Sequence, residues 1–197
     1  MSLRRKQKEE TRRRLLEAAA ECFSESGFGG CSVNQIVKRA GVSQGSLYVH
    51  FTDKQALILA LMEDEYREAI DAFESLGAEA SLDDVLMLLG ECIQHVGFPI
   101  NHRLWLMAMA EAALNPELNK LQRHLDDCMR SALADVLSRT VGNSHFEAND
   151  LNATTVMIYA AVDGLIARQA IDPNFNIEQH LPHFNAYVRS ILQPSFP

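Results

Sequence analysis

The sequence predicts an all-α protein of about nine helices, with an N-terminal three-helix helix-turn-helix domain and a larger C-terminal helical domain. Apolar residues recur at the three- and four-residue spacing of amphipathic helices, and no stretch alternates apolar and polar residues as a half-buried strand does. Capping residues and glycines also divide the first third of the chain into short helices. Together these patterns favour an architecture of helices packed on helices.

A pair of short helices is encoded between residues 32 and 51. Ser32 followed by Gln35 has the spacing of a capping box, which predicts a helix that starts at the next residue, 33. Gly41 ends that helix, because glycine adopts the left-handed conformation without steric cost. Ser43 caps a second helix directly after the turn. Two short helices joined at one glycine form a helix-turn-helix, whose second helix enters the major groove of DNA.

The second helix exposes a face that suits close approach to DNA. Leu47 and Phe51 are four residues apart, share one side of the helix and are expected to be buried. The outward-facing residues are small, uncharged and rich in hydrogen-bonding groups: Gln44, Gly45, Ser46, Val49 and His50. Thr52 and Gln55 predict the capping box of the next helix, with Lys54 in its first turn. The helix dipole disfavours a cation there, so Lys54 indicates a nearby anion such as a DNA phosphate.

Residues 42–57, VSQGSLYVHFTDKQAL, resemble the recognition-helix signature of the TetR family of transcriptional regulators. The preceding helix and turn, a first helix ending in Gly27-Phe28 and the length of 197 residues fit the same family. The resemblance is specific over residues 10–60 and architectural beyond them. It implies base contacts from Gln44, Gly45, Ser46 and Val49. It implies phosphate contacts from Ser32, Tyr48, His50 and Lys54, and we add the cap Ser43 to this DNA-binding set.

Charge divides the chain at the end of this motif. A formal net charge of −8 over the whole chain argues against a DNA-binding protein. Residues 1–54, however, carry ten Lys or Arg against six Asp or Glu, whereas residues 55–197 carry eight against twenty. We therefore predict a basic DNA-binding domain over residues 1–54. The resemblance implies a ligand-binding and dimerisation domain over residues 55–197.

Several other classes of protein are disfavoured. The longest apolar runs fall well short of the roughly 18 residues of a membrane span, and acidic residues interrupt the one segment that could pass for a signal peptide. Four dispersed cysteines without C-x-x-C spacing indicate reduced thiols and a cytoplasmic protein without a metal site, with a redox or metal sensor as the alternative. No motif of a phosphate-binding loop, a zinc protease or a serine hydrolase is present, so we expect neither an enzyme nor a cofactor.

The remaining helices follow from caps and breakers. Residues 1–9 are basic and lack apolar periodicity, so they are expected to form an unstructured arm that either follows DNA or is solvated. The fifth helix is expected to run from its cap, Ser81, to Gly97. The acidic stretch Glu63–Glu68 is interpreted as a solvated face of the fourth helix. Pro182 is expected at the first position of the main segment of the last helix, because proline is costly inside a helix.

The last two helices carry more apolar surface than one buried face requires. The resemblance implies a homodimer in which helices 8 and 9 form a four-helix bundle with their symmetry mates. The interface candidates are Val156, Tyr159, Ala160, Gly164, Ile166, Phe184, Tyr187, Val188, Ile191 and Leu192. Extra packing within a monomer is the alternative. A dimer is also favoured because one short recognition helix reads too few bases for high specificity.

The resemblance further implies a small-molecule pocket among helices five to eight. The candidate lining residues are Trp105, Met109, Phe98, Met87, Cys128 and Met157, with His95, His102, Glu111 and Asp163 as polar candidates. Core packing is the alternative for each apolar one. The two acids lie in apolar stretches where an unpaired charge is costly, so pairing with Arg103 or Arg168 is favoured over ligand binding. A carboxylate that shared the cavity with Trp105 would suit a cationic or quaternary-amine ligand. The segment WLMAMAEAALNPEL is also similar to the body of the betaine-pathway repressors of this family.

One functional hypothesis combines these expectations. The chain is expected to be a dimeric transcriptional repressor that binds a palindromic operator in double-stranded DNA and is released by a small-molecule effector. The alternatives are a ligand-independent or architectural DNA-binding regulator, or an activator, because no sequence feature separates activation from repression. An enzymatic body is a third possibility that no motif supports.

Overall fold

A computed structural model of the chain describes residues 3–95, 99–141 and 148–192, and within them it contains nine α-helices and no strand. The prediction of an all-α fold is therefore confirmed. In chain order the helices are α1 (Leu3–Gly30), α2 (Val33–Ala40), α3 (Gln44–Tyr48), α4 (Lys54–Ser75), α5 (Leu82–Gln94), α6 (His102–Leu114), α7 (Pro116–Val141), α8 (Ala148–Ile171) and α9 (Ile177–Leu192). Among the described residues, no helix has the length and apolar character needed to cross a membrane.

The first three helices pack around the apolar face of α1. Leu15 and Phe23 of α1 and Leu47 of α3 are fully buried. Gly27 has a φ of 73° and interrupts the regular geometry of α1, which lets Phe28 fold back onto Phe23 with ring centroids 4.9 Å apart. Burying these side chains fixes α3 on the rest of the N-terminal unit and leaves its opposite face to solvent.

The capping predictions for α2 and α3 are confirmed. The Ser32 hydroxyl accepts a 3.3 Å hydrogen bond from the Gln35 backbone N–H, and the Gln35 side chain accepts one of 2.8 Å from the Ser32 N–H. Gly41 ends α2 with a φ of 64°, in the left-handed region. The Ser43 hydroxyl then accepts a 3.1 Å bond from the Ser46 N–H. These contacts set the angle at which α3 leaves α2.

Two expectations about helix starts are wrong. The described part of the arm expected over residues 1–9 is helical from Leu3, because its Lys, Arg, Gln and Glu residues are good helix formers. The capping box expected at Thr52 does not open α4. Asp53 caps that helix instead, and its Oδ1 accepts a 2.8 Å bond from the Ala56 N–H. A carboxylate competes well with a hydroxyl for this position, because it also interacts favourably with the helix dipole.

Two further expectations fail near the ends of helices. The helix expected to reach Gly97 ends at Gln94, where His95 leaves the helical region with a φ of −130° and a ψ of 83°. Pro182 lies inside α9 rather than at the start of a main segment. It sits early in that helix, where the missing N–H removes only one intrahelical hydrogen bond.

The fourth helix, α4, connects the N-terminal unit with the rest of the molecule. Near its start, the Gln55 amide donates a 2.7 Å hydrogen bond to Glu117 of α7. Near the middle of α4, Asp64 pairs with Arg12 of α1 at 2.7 Å. Its last turns bury Phe73 in the core formed with α5 to α8. A movement of α4 in the body would therefore reach the N-terminal helices.

Candidate functional site

The recognition surface, defined here as the exposed side of α3 with its caps, contains most of the predicted DNA-binding residues. Six of the nine lie on α3 or its two caps: Ser43, Gln44, Gly45, Ser46, Tyr48 and Val49. Tyr48 is 52% exposed and Val49 68% exposed, although both are large apolar residues. The buried side of the same helix is held by Leu47, with Phe51 buried just beyond it, as expected. Apolar groups that stay exposed on a five-residue helix are available for contact with another molecule.

Gly45 has no packing role that requires glycine. A Cβ placed on Gly45 would meet only the hydroxyl of Ser43, at 3.8 Å, which is ordinary van der Waals contact. Around it, the Gln44 amide reaches the Tyr48 hydroxyl at 3.5 Å, and the hydroxyls of Ser43 and Ser46 lie 2.9 Å apart. The surface therefore offers hydrogen-bonding groups around a point where a backbone can be approached closely.

Lys54 contacts the chain itself. Its ammonium donates a 3.0 Å hydrogen bond to the Cys31 carbonyl and a second, shorter bond to the Phe28 carbonyl. These carbonyls lie at or just beyond the end of α1, where the negative end of the helix dipole attracts a cation. An ammonium has three N–H donors, so these two contacts leave one donor for a further acceptor.

His50 lies beside basic residues of α1. Burial lowers the pKa of its imidazole, and the positive charges of Lys8 and Arg12 lower the pKa further. The imidazole is therefore neutral at neutral pH, with one N–H donor and one acceptor nitrogen. Arg12 also lies over the Phe51 ring, 5.9 Å from its centroid.

A cavity of about 40 Å³ lies among α4, α5, α6, α7 and α8. Its wall is mainly apolar and aromatic, with two acids: Glu65, Tyr66, Ala69, Phe73, Leu89, Cys92, Trp105, Met129, Leu133, Tyr159, Val162, Asp163 and Ile166. Of the predicted apolar lining residues that the structure describes, Trp105 alone stands in this wall. Two carboxyls, those of Glu65 and Asp163, stand in the same wall as Trp105.

A hydrogen-bond network closes one side of the cavity. The Tyr66 hydroxyl of α4 donates a 2.9 Å bond to Oδ1 of Asp126 on α7. The Tyr159 hydroxyl of α8 lies 3.1 Å from the Tyr66 oxygen and 3.2 Å from the same Asp126 oxygen. The Gln122 amide donates to Asp126 Oδ1 at 2.7 Å and also contacts the Tyr66 oxygen. Three helices, α4, α7 and α8, are therefore joined at one carboxylate oxygen.

The two acids in the cavity wall have strongly raised pKa values. Burial raises the pKa of Glu65 to about 8, and the negative charges of Asp163, Glu68 and Asp126 raise it further. Burial and the charge of Asp126 raise the pKa of Asp163 to about 7. At neutral pH Glu65 is thus mostly protonated and Asp163 is about half protonated.

The other predicted pocket residues lie elsewhere. Met87 and Met157 are 62% and 56% exposed. Cys128 is half-buried with its sulfur 3.9 Å from His124, and Met109 is half-buried against the core outside the cavity wall. Phe98 lies outside the described residues.

Sequence reasoning missed the most unusual cavity residue. Glu65 was interpreted as part of a solvated acidic face, but it follows Met62 by three residues and precedes Ala69 by four, on the buried side of α4. That spacing was the available signal. Asp163 was expected to pair with an arginine, yet the described residues form no ion pair to its carboxyl.

The predicted interface residues of α8 and α9 fall into two groups. Phe184, Val188 and Leu192 are buried within the protomer, as is Ile166, and Tyr159 points into the cavity. Val156 is 40% exposed, Tyr187 36% exposed, and Ala160 and Gly164 are exposed as well. Val156, Ala160 and Gly164 lie on α8 at intervals of four residues, which places them along one stripe of the helix, whereas Tyr187 lies on α9.

These features define the class of protein as a helix-turn-helix transcriptional regulator. The chain belongs to the TetR family. Residues 15–61 match the model of bacterial regulatory proteins of the tetR family, and residues 99–193 match that of the BetI-type transcriptional repressor C-terminal region. The chain is 30% identical over 190 residues to the HTH-type transcriptional repressor AcnR of Corynebacterium diphtheriae, covering 93% of this chain and 94% of that one. The resemblance inferred from residues 42–57 is confirmed, and the chain is a regulator rather than an enzyme.

Solved structures share the whole fold. Salmonella enterica GusR superposes with a TM-score of 0.75 at 22% identity, over 92% of this chain and 95% of that one. A transcriptional regulator from Saccharomonospora viridis, solved in complex with choline, superposes with a TM-score of 0.74 at 22% identity, over 92% and 96% of the two chains. At this level of identity the similarity establishes the fold alone.

Proposed function

We propose that this chain is a dimeric, ligand-responsive transcriptional repressor that binds a palindromic operator in double-stranded DNA and leaves it when a small-molecule effector enters the body. The observation that carries the proposal is the recognition surface, where uncharged hydrogen-bonding groups and exposed apolar groups surround a glycine without a packing role. The protein acts in the cytoplasm, where a bacterial operator is found.

Base reading falls to four residues of the recognition surface. The Gln44 amide both donates and accepts, which matches the pattern that adenine presents in the major groove. Gly45 lets the backbone approach the base edges, and the Ser46 hydroxyl can donate or accept. The exposed methyl groups of Val49 suit contact with a thymine methyl.

Phosphate contacts come from residues around the reading helix. Ser32 and Ser43 stand at the N-termini of α2 and α3, where backbone N–H groups favour an anion. Tyr48 and His50 supply neutral donors, and Lys54 supplies the charge. Since Lys54 is already held by two carbonyls, its ammonium is positioned in advance and loses little entropy on binding DNA.

Dimerisation uses the exposed stripe of α8 together with α9. Val156, Ala160 and Gly164 are exposed one turn apart, and a Cβ at Gly164 would meet nothing within 4 Å. Small residues at these positions allow a second helix to approach closely. Met157 and Tyr187, also exposed, extend the apolar surface. A symmetric pair of such faces would form a four-helix contact and set two recognition helices about 34–36 Å apart.

The effector acts through α4. This helix carries Lys54 at its start and four residues of the cavity wall further along: Glu65, Tyr66, Ala69 and Phe73. An effector that enlarges the cavity would displace α4, change the spacing of the two recognition helices and weaken operator binding. A coupling of about 1–3 kcal/mol, typical of such linkage, corresponds to roughly 5- to 150-fold in affinity.

The size of the cavity favours one alternative to be tested beside this proposal. Ligand sites usually measure about 300–1,000 Å³, whereas this cavity measures about 40 Å³. A ligand must therefore open it, or the body is permanently filled and the protein is a ligand-independent or architectural regulator. An activator would use the same DNA contacts.

Selection from a random duplex library tests the proposal. The full-length protein should enrich an inverted repeat whose half-sites lie about 10 base pairs apart, or a small multiple of a helical turn. Metabolites that raise the melting temperature should then release the protein from that duplex, as followed by fluorescence anisotropy. Enrichment of no sequence, or of a sequence without two-fold symmetry, would contradict the proposal. Operator binding that no stabilising metabolite weakens would establish the ligand-independent alternative.

A further inference from the structure

Two carboxyl groups face the cavity without a partner in the described part of the chain. Glu65 of α4 and Asp163 of α8 both stand in its wall, and no hydrogen bond or ion pair among the described residues involves either side chain. We propose that this cavity takes a small organic cation, an amine or a quaternary ammonium, whose charge is balanced by these two carboxyls. The inference rests on the proposed function, because it names the effector class of that same site.

The polar groups of the wall accept more readily than they donate. The phenol protons of Tyr66 and Tyr159 are directed to the oxygen of Asp126 or to each other. Both rings nevertheless border the cavity, as does that of Trp105. Aromatic faces attract a cation most strongly when water is excluded, and carboxylates accept from its N–H groups. An anionic ligand would meet no positively charged side chain in this wall, and its charge would oppose the ionisation of both acids.

The chain supplies no cation of its own to these acids within the described residues. Arg67, close to Glu65 in sequence, pairs with Asp64 at 3.6 Å. Arg130 on α7 pairs with Asp127. The described residues also contain no group of three or more His, Cys, Asp or Glu side chains arranged to hold a metal ion. A ligand that brings its own positive charge on a carbon framework therefore fits the cavity better than a metal ion.

While the cavity is empty, protonation neutralises the carboxyl groups of Glu65 and Asp163. The titratable groups that face it from the packed helices are Glu65 and Tyr66 on α4, Cys92 on α5, and Tyr159 and Asp163 on α8, with Asp126 on α7 behind the phenols. Burial raises the pKa of Cys92 to about 12 and raises the pKa values of both tyrosines, so these groups stay neutral. Only the two acids exchange protons near neutral pH, since their pKa values are about 8 and about 7.

Cation binding is consequently a proton exchange. A protonated carboxyl in the cavity loses its proton to solvent, and the carboxylate that remains pairs with the incoming cation, so the charge in the cavity is unchanged. Raising the pH removes the competing proton. Affinity for the cation therefore rises as the pH increases through about 7 and 8, and binding near neutral pH releases protons.

Isothermal titration calorimetry on the full-length protein tests this inference with defined probes. The cations are tetramethylammonium and n-butylammonium, matched by tert-butanol and 1-butanol as neutral analogues and by butyrate as the anion. Measurements in two buffers of different ionisation enthalpy count the protons released. The variants are Glu65→Gln and Asp163→Asn, whose amides imitate the protonated acids and so preserve the fold. Glu74→Gln is the control, because it removes an acid from an exposed position on the same helix.

At least one cation should bind saturably, more tightly at about pH 8.5 than at about pH 6. Glu65→Gln and Asp163→Asn should each weaken that binding by about tenfold or more and reduce the number of protons released, with Glu74→Gln unchanged. A neutral or anionic probe that binds as well as its cationic match would overturn the inference. So would the absence of binding by either cation, or cation binding that both cavity variants retain.

The same material distinguishes failure of the inference from failure of the proposed function. If the protein binds its selected duplex and a neutral metabolite releases it, the proposed function is supported and the inference of a cationic effector is wrong. If a cation binds the cavity but no duplex is bound at low salt, the inference about the cavity is supported and the proposed repressor function is wrong.

Discussion

The hydroxyl of Tyr66 on α4 donates a 2.9 Å hydrogen bond to Oδ1 of Asp126 on α7. Tyr66 is buried, and its oxygen also accepts from the Gln122 amide. The contact joins the helix that reaches the N-terminal unit to the longest helix of the body, beside the cavity. This is the point at which a ligand could loosen or tighten α4.

Removing that hydroxyl should destabilise the fold. Tyr66→Phe leaves the Asp126 oxygen and the Gln122 amide short of a partner in a buried site, which should lower the free energy of unfolding by about 1–3 kcal/mol. Urea unfolding followed by circular dichroism measures the change. Tyr48→Phe, which removes an exposed hydroxyl on α3, is the matched control and should change stability by less than about 0.5 kcal/mol. Equal effects of the two variants would show that the network does not hold α4.

The pH dependence of stability should report Glu65 directly. Its pKa is about 8 in the folded protein, against an ordinary value of 4.5, so the folded state holds the proton more tightly than the unfolded chain. The stability that this proton contributes is complete below pH 4.5 and is lost as the pH rises through 8. In Glu65→Gln, the free energy of unfolding should therefore fall less steeply with pH over this range. Above the range, the variant should be more stable than wild type. If the curves of unfolding free energy against pH were parallel for Glu65→Gln, wild type and the exposed control Glu74→Gln, the raised pKa of Glu65 would be contradicted.

Lys54→Met should affect both DNA binding and the N-terminal unit. Loss of one phosphate contact should weaken binding to every duplex sequence and make the slope of log affinity against log salt less negative by about 1. Loss of the contacts to Phe28 and Cys31 should also lower stability. Lys120→Met, at an exposed position on α7, is the control for the charge change. A salt slope identical to that of wild type would remove Lys54 from the phosphate contacts.

Gln44→Ala should alter specificity rather than general affinity. A side chain that reads one base pair contributes about 1–3 kcal/mol of discrimination there, so the variant should tolerate substitutions at one position of each half-site. Binding to unrelated duplex should change little. His50→Ala, a change just after the same helix, should instead weaken all sequences alike. A sequence preference that survives intact in Gln44→Ala would place the base reading elsewhere.

A charge on the exposed surface of α8, beside the stripe of Val156, Ala160 and Gly164, should separate the protomers. Met157→Glu introduces a carboxylate into the proposed interface twice, once from each copy, and should shift the protein toward monomers in analytical ultracentrifugation. Met87→Glu makes the same change at a similarly exposed methionine on α5 and should leave the dimer intact. If both variants stay dimeric, or both dissociate, the interface is not the stripe on α8.

Local signals in the sequence were sufficient for the N-terminal unit. Ser32, Gln35 and Gly41 each act on neighbouring backbone groups, so their spacing alone determines where α2 starts and stops. The capping prediction for α4 was wrong by one residue, because Thr52 and Asp53 can both cap the helix and Asp53 does. Residues 3–9 form a helix without an apolar face, which periodicity cannot detect.

The cavity could not be predicted in the same way, because it depends on how five helices meet. Trp105 and Asp163 were found as residues out of keeping with their surroundings, but nothing local shows that Tyr159 turns inward or that Met157 turns outward. Glu65 shows the general difficulty, since an acid within an acidic run is usually solvated and only the packing of α4 against α5 and α7 reveals that it faces the cavity. The spacing of Glu65 from Met62 and Ala69 indicated the buried side of α4, whereas the acidic composition of the segment indicated a solvated side.

The spacing of the two half-sites tests the central claim most directly. The selected duplex is compared with a copy in which about five base pairs, half a helical turn, are inserted between the half-sites, and affinity is measured by fluorescence anisotropy. A rigid dimer with two recognition helices should lose most of its specific binding, because the second half-site then faces the opposite side of the duplex. Unchanged affinity for the lengthened duplex would contradict the account.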